Sequence, residues 1–250
     1  MDDRARSRAF TAERRRQLKR MAEARRDALA DVKRILEDGK MRVKAELAGA
    51  PSEFQAWQLP KIQQSIDRAL GDVGEVLAES GAAAASTGHA LGKDLVDAPI
   101  EAAGIQISTM MPEVDVRQLI AIRTFLVDRM KDVTREVAGK IKSQIGLVMV
   151  GALNPADAVS DIAAMVDDSR ARATTIVRTE MGRAFSVATQ ERQSQAKDLL
   201  PGLKKQWRRS GKVHSRLAHD LADGQIVEVE KPFVVDGEEL MYPRDPAASA

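Results

Sequence analysis

"VRQLIAIRTFLVDRMKDVTREVAGKIKSQIGLV", residues 116–148, decides the fold class. Val116, Leu119, Ile120, Leu126, Val127, Met130, Val133, Val137, Ile141, Ile145 and Val148 recur at three- and four-residue steps. That is the period of an α-helix with one apolar face. So long a run at one period predicts a mainly α protein.

The flanking sequence extends the pattern. Leu18, Met21, Ala28, Val32, Ile35 and Leu36 mark an amphipathic helix from about Thr11 to Leu47. At 1.5 Å per residue it would reach roughly 50 Å. Its apolar stripe is too narrow to sustain an isolated helix, so its seam is expected against another helix, in this chain or in a neighbour. "AGAPSEFQAWQLP" breaks the pattern at Gly49, Pro51 and Pro60. A second helix is expected from about Pro60 to Ala98 through Ile62, Ile66, Leu70, Val73 and Leu77. Gly81, Gly88 and Gly92 each cost about 1 kcal/mol against alanine there, which predicts either a break or very close packing on another backbone.

Downstream, "LNPAD" restarts a helix with Asn154 as N-cap, Pro155 at the first helical position and Asp157 near the positive helix end. Ser169 is expected to cap a further helix through Ala173, Val177, Met181, Ala184, Phe185 and Ala188. After Pro201 the segments shorten and Val and Ile increase, with Asp223-Gly224 and Asp236-Gly237 as turn signals between strands. The expected architecture is mainly α, with long, partly extended or coiled helices and a small C-terminal α+β cap of short antiparallel strands. Three regions are expected: a basic extended helix over 1–50, an acidic Ala/Gly-rich helical region over 51–112, and a third region over 113–250. The last holds helices to about 200, the small β cap over 201–246 and a flexible tail.

Composition narrows the chemistry. Aromatics make up 3% of the 250 residues, which predicts helices packed through small aliphatic seams. Cysteine is absent, excluding thiolate nucleophiles, disulfides and Cys-based zinc sites. The longest apolar run, Ile145 to Leu153, is broken by Gly146 and Gly151 and falls short of the roughly 20 residues of a membrane span. "MDDRARSRAF" lacks a signal-peptide core. A soluble protein with no membrane partner is expected.

Charge is unevenly spread. Residues 1–34 carry 12 Arg/Lys against 6 Asp/Glu, and residues 51–128 carry 5 against 11. Arg14, Arg15, Arg16, Lys19 and Arg20 are candidate contacts to DNA or a partner, and Trp57 is either a local plug or a docking anchor. Because Glu23, Asp27 and Asp31 are mixed in, the same helix equally suits salt-bridged packing. His89, alone in an Ala/Gly stretch, is expected to be exposed and not a ligand.

His214, His219, Asp220 and Asp223 raise the question of a metal-dependent nuclease or hydrolase, since histidine and carboxylate suit zinc, manganese or magnesium. Five residues place His214 and His219 on opposite sides of a strand, or about 140° apart on a helix. The competing reading makes Arg216 and His219 buried hydrogen-bonding residues that fix a turn against Trp207 and the Arg178-Thr179-Glu180 helix. It is the reading adopted, with no catalytic residue, metal or cofactor expected.

"IVRTEMGRAFSVATQER", residues 176–192, and "KKQWRRSGKVHSRLAHDLADGQIVEVEKPFVVDGEELMYPRDP", residues 204–246, together resemble the phage Mu F-like head morphogenesis, or minor head protein, family. The resemblance rests on Arg178, Thr179 and Glu180, then Trp207, Arg216 and His219, and Asp223-Gly224-Gln225. Pro232-Phe233, Gly237 and Tyr242-Pro243 complete it. It covers roughly 115–246. The chain departs from the family in ending without an Asn-Cys-Arg-Cys-like segment and in carrying Lys212 at a commonly acidic position.

The resemblance implies a non-enzymatic virion component of a tailed phage or prophage. Such a protein associates with the portal inside the capsid and aids head assembly, DNA packaging and ejection. Its implied partners are the portal protein, other copies of itself or other head proteins, and packaged double-stranded DNA. The implied location is the capsid interior near the portal vertex, with the host cytoplasm during assembly. Two alternatives stand beside it: a non-specific DNA-binding helical protein, and a nuclease using the 214–223 stretch.

Overall fold

A computed structural model describes residues 2–48, 59–107, 109–208 and 217–246. Four long helices dominate: α1 (Asp3–Ala48), α2 (Leu59–Ala102), α3 (Arg117–Met149) and α4 (Pro155–Leu199). Short elements follow: β1 (Lys204–Gln206), α5 (Leu217–Leu221), β2 (Ile226–Glu228), β3 (Phe233–Val235) and β4 (Glu238–Leu240). β1 pairs with β2 and β3 with β4, both antiparallel. The mainly α class with a small strand-bearing C-terminus is therefore the observed one.

The chain forms two compact units, and each long helix contributes to both. One comprises 25–84 and 121–180, the other 1–24, 85–120 and 181–250.

In the first unit, four helical stretches enclose one aliphatic core. Val43 and Leu47 of α1 meet Ile62, Ile66 and Leu70 of α2, Val137, Ile141 and Ile145 of α3, and Ile162 and Val166 of α4. The α1 seam is thus filled by the chain's own helices. Small residues set the spacing. A methyl group added at Gly39 would sit 2.9 Å from Val73 Cγ2, and at Gly81 2.2 Å from Leu126 Cδ2. Outside the core, ion pairs stitch neighbouring helices. Lys40 reaches Asp167 at 2.7 Å, Lys142 reaches Asp67 at 3.0 Å, and Arg172 pairs with Glu136. Exposed pairs of this kind contribute at most about 1 kcal/mol each; the aliphatic core carries the unit.

The second unit joins the remaining helical stretches to the C-terminal cap. Here the glycine question resolves as close packing, since α2 continues without a break. A Cβ at Gly88 would lie 2.4 Å from the Met181 carbonyl oxygen, and one at Gly92 2.3 Å from that of Phe185. The Thr189 hydroxyl donates to the Gly92 carbonyl at 3.1 Å, tying the same surfaces. Beyond them Val96, Ile100, Ile107 and Ala196 form a small core closed by Met111, Leu200 and Leu203.

Several expectations change. Ser169 does not cap a helix: α4 runs unbroken from Pro155, and the Ser169 hydroxyl donates to the Val166 carbonyl at 2.7 Å. A serine inside a helix can satisfy itself on the preceding turn. Leu18 is exposed, while Glu13 and Gln17 take the buried positions. The Gln17 side-chain amide donates to Glu13 at 2.5 Å, which lets the polar pair occupy the seam. Val116 precedes α3 and, like Ile120, is exposed. Asp223-Gly224 closes α5 and does not link two strands directly. Asp236-Gly237 does form the β3–β4 hairpin turn, with φ of 57° and 79° at its two residues, the left-handed pair of a two-residue turn.

Candidate functional site

The cap is built around Trp207. Its backbone extends the β1–β2 ladder, the N–H donating to Gln225 and the carbonyl accepting from Gly224, both at 2.9 Å. The alternation of β3 turns Phe233 and Val235 inward, where they meet Trp207, Ala222 and Leu240. The Phe233 ring stands edge-on to the indole at 5.2 Å, and the His219 imidazole stacks on it at 5.8 Å. His219 is half-buried, and its ring serves this small aromatic core.

A lysine sits beneath that core. Lys205 is 4% exposed, its ammonium 4.9 Å from the centre of the Phe233 ring. It donates to Gln190 Oε1 at 3.0 Å and to the Met241 carbonyl at 2.8 Å, so it fastens the cap to α4 and to the chain after β4. Burial pulls its pKa down to about 8, against a smaller upward pull from Asp245. Desolvation outweighs the attraction because the positive form loses water and gains only one carboxylate at a distance.

Beside this junction lies a cavity of about 530 Å³, lined by Asp115, Arg117 and Gln118, by Val187, Gln190, Glu191 and Ser194 of α4, and by Met241 and Tyr242. Its polar groups are largely engaged with one another. Asp115 accepts from the Arg117 side chain at 2.6 Å and from its backbone at 2.8 Å, and these bonds hold the carboxyl below its usual range. Glu191 accepts from the Asp115 backbone at 2.6 Å, and the Ser194 hydroxyl donates to the Gln190 carbonyl. Burial raises the Tyr242 phenol, with Asp245 adding to the effect. Carboxylates, an arginine and hydroxyls line this space; no histidine is among its described lining residues, and His89 lies close by, at the Asp115 backbone and near Glu191.

His89 is buried at 8% exposure, contrary to the expectation from sequence. Burial lowers its pKa first, opposed by Glu191 and by a hydrogen bond with the Asp115 backbone. His89 sits between Gly88 and Gly92, where α2 and α4 approach closely, with the Asp115 backbone and Glu191 beside it.

The residues singled out from sequence separate into groups. Trp207, His219 and Phe233 meet in the cap core, while Gly224 and Gly237 occupy positive-φ turns at 88° and 79°. Asp223 is exposed, Tyr242 half-buried and Pro243 exposed. Arg178 is exposed, Thr179 half-buried and Glu180 buried; all three belong to the other unit. Arg216, His214 and Trp57 lie outside the described residues. In α1, Arg16 pairs with Glu13 at 2.5 Å and Arg20 with Asp94 at 3.2 Å, while Arg14 turns its Nε into the protein. Arg15 and Lys19 face outward. Among the described residues no group of three or more His, Asp or Glu is arranged to hold a metal ion.

Sequence reasoning missed Arg192, Asp97 and Lys205. The signal for Arg192 was present: it continues the buried step Ala184, Ala188, Arg192, Ala196, a charge where the period demands an apolar group.

Comparison with known proteins adds one partial likeness. Over 73 residues the chain is 38% identical to an NAD(+)–arginine ADP-ribosyltransferase, EFV, of Enterococcus faecalis. The match takes in 29% of this chain and 15% of that protein. No family model matches, and no solved structure does.

Proposed function

We propose that this chain is a non-enzymatic minor head protein of a tailed phage or prophage, held at the portal inside the capsid. There it aids head assembly, DNA packaging and ejection through contacts with protein and DNA. One observation supports this reading most directly. The motif residues that carry the family resemblance in the cap, Trp207, His219, Phe233, Gly224 and Gly237, are spent on a small core and two turns. They serve as a folding signature, and the ordered series of motifs then speaks for kinship with head proteins. Among the described residues no helix is long and apolar enough to cross a membrane.

The ADP-ribosyltransferase likeness covers too little of that protein to bring its activity here. Two measurements test the proposal. Mass spectrometry of purified particles should find the protein together with portal, and the full-length chain should co-purify with portal from lysate. Absence from particles would refute the assignment, and transfer of labelled ADP-ribose from NAD to an arginine substrate would refute its non-enzymatic part.

A further inference from the structure

We infer that one face of the N-terminal part of α1 is a phosphate-binding rail for double-stranded DNA, made of Arg4, Arg8, Arg15 and Lys19. This takes up the DNA contact of the proposed function and rests on that reading for its choice of polyanion.

The basic residues of this helix divide structurally. Arg16 and Arg20 are committed to Glu13 and Asp94, and the Arg14 Nε is buried. Arg4, Arg8, Arg15 and Lys19 are all exposed. Among the described residues Arg4, Arg8 and Arg15 have no ion-pair partner, and Lys19 has one weak, solvent-facing contact to Glu23 at 3.7 Å. With 3.6 residues per turn, these four positions fall within about 60° of one another around the axis and span about 22 Å along it. Glu13, Gln17 and Met21 mark the buried side, so the cations point away from it.

A straight row of solvent-facing cations, three of them without an ion-pair partner among the described residues, fits a rod-like polyanion. Duplex DNA carries one charge per about 1.7 Å of axis, so a 22 Å rail faces more phosphates than it has cations and every cation can find one. The neighbours Thr11, Ala12 and Ala22 are small. They offer no rings for stacking single-stranded bases, and Leu18, exposed at the rail's edge, is a single aliphatic side chain where lipid insertion needs a broad apolar face. Contact is thus to the backbone and independent of sequence.

The test is fluorescence-anisotropy titration of a mixed-sequence 30-base-pair duplex with the full-length protein across a salt series. Four phosphate contacts predict a slope of log affinity on log salt near about −3.6, from roughly −0.9 per contact. Arg8→Ala/Arg15→Ala/Lys19→Ala should bring the slope to about −0.9, while Arg16→Ala/Arg20→Ala should leave it unchanged. Arg8→Gln/Arg15→Gln/Lys19→Gln, with helicity checked by circular dichroism, should repeat the loss. An unchanged slope in the folded triple variants overturns the rail. So does an equal loss in Arg16→Ala/Arg20→Ala, or equal affinity for phosphatidylserine vesicles at matched phosphate. Portal co-purification without DNA binding would remove the rail alone; DNA binding without portal association would remove the head-protein reading alone.

Discussion

Arg192 grips Asp97 through both carboxylate oxygens, Nε to Oδ1 at 2.6 Å and Nη2 to Oδ2 at 2.9 Å, with the two side chains 2% and 8% exposed. The same guanidinium donates to the Pro112 carbonyl at 2.7 Å and to Gln195 at 2.8 Å. One arginine therefore ties α4 to the end of α2 and to the connector before α3. A forked donor suits this task because its geometry fixes both partners at once. Removing either charge strands the other in the interior. Asp97→Ala or Arg192→Ala should each cost about 3–5 kcal/mol in urea unfolding, and Asp97→Leu/Arg192→Met should recover much of it. A single variant as stable as the parent would show the pair to be idle.

The helix glycines make opposite predictions by position. At Gly88 a side chain meets the Met181 carbonyl, so Gly88→Val should destabilise by about 1–3 kcal/mol through overpacking. Gly71 and Gly139 have open space around them. Gly71→Ala and Gly139→Ala should each stabilise by up to about 1 kcal/mol, the helix-propensity difference. Thermal melts of the three variants check both signs.

The helical period of 116–148 and the Asp236-Gly237 turn could be read from sequence because each depends on neighbours in the chain. The buried pair could not, since Arg192 and Asp97 lie 95 residues apart and only packing makes them meet. Leu18 misled for a related reason: its stripe was shared with Glu13 and Gln17, whose mutual hydrogen bond made the polar positions the better ones to bury. In the candidate site, Trp207 and Phe233 were marked by the motif series of the family resemblance. Lys205 beside them looked like one more member of a basic run. Nothing in its neighbours said that its ammonium would be enclosed.

Lys205 has a pH consequence. Its pKa is near 8 in the folded protein and 10.5 in the ordinary state. Between those values the unfolded chain binds more protons, so stability rises with pH across that window. Lys205→Met should flatten this rise relative to the parent, measured by urea midpoints at pH 7.5, 9 and 10.5. An identical pH dependence in both proteins would show that the amine is hydrated.

His89 acts at the acidic end. Its folded pKa is lowered from 6.5 by burial, so the unfolded chain takes up the proton first as pH falls. Stability should drop progressively below about pH 6.5, and His89→Gln should lessen that drop. The comparison is of melting temperatures at pH 7.5 and 5.

At the hairpin, Gly237 has φ of 79°. Gly237→Val should cost about 1–2 kcal/mol, because a branched side chain crowds the carbonyl in the left-handed region. Trp207 fluorescence reports the loosened cap.

The interleaving of the two units dictates an order of birth on the ribosome. The unit of 25–84 and 121–180 has all its chain once residue 180 has been translated, whereas the other needs the 66 further residues through Pro246. At about 5–20 residues per second this is a delay of roughly 3–13 s. Within that second unit the glycine face of α2 at Gly88 and Gly92 waits for Met181 to Ala188 of α4, about 100 residues and so roughly 5–20 s later, a window in which a nascent chain is vulnerable to the wrong neighbour.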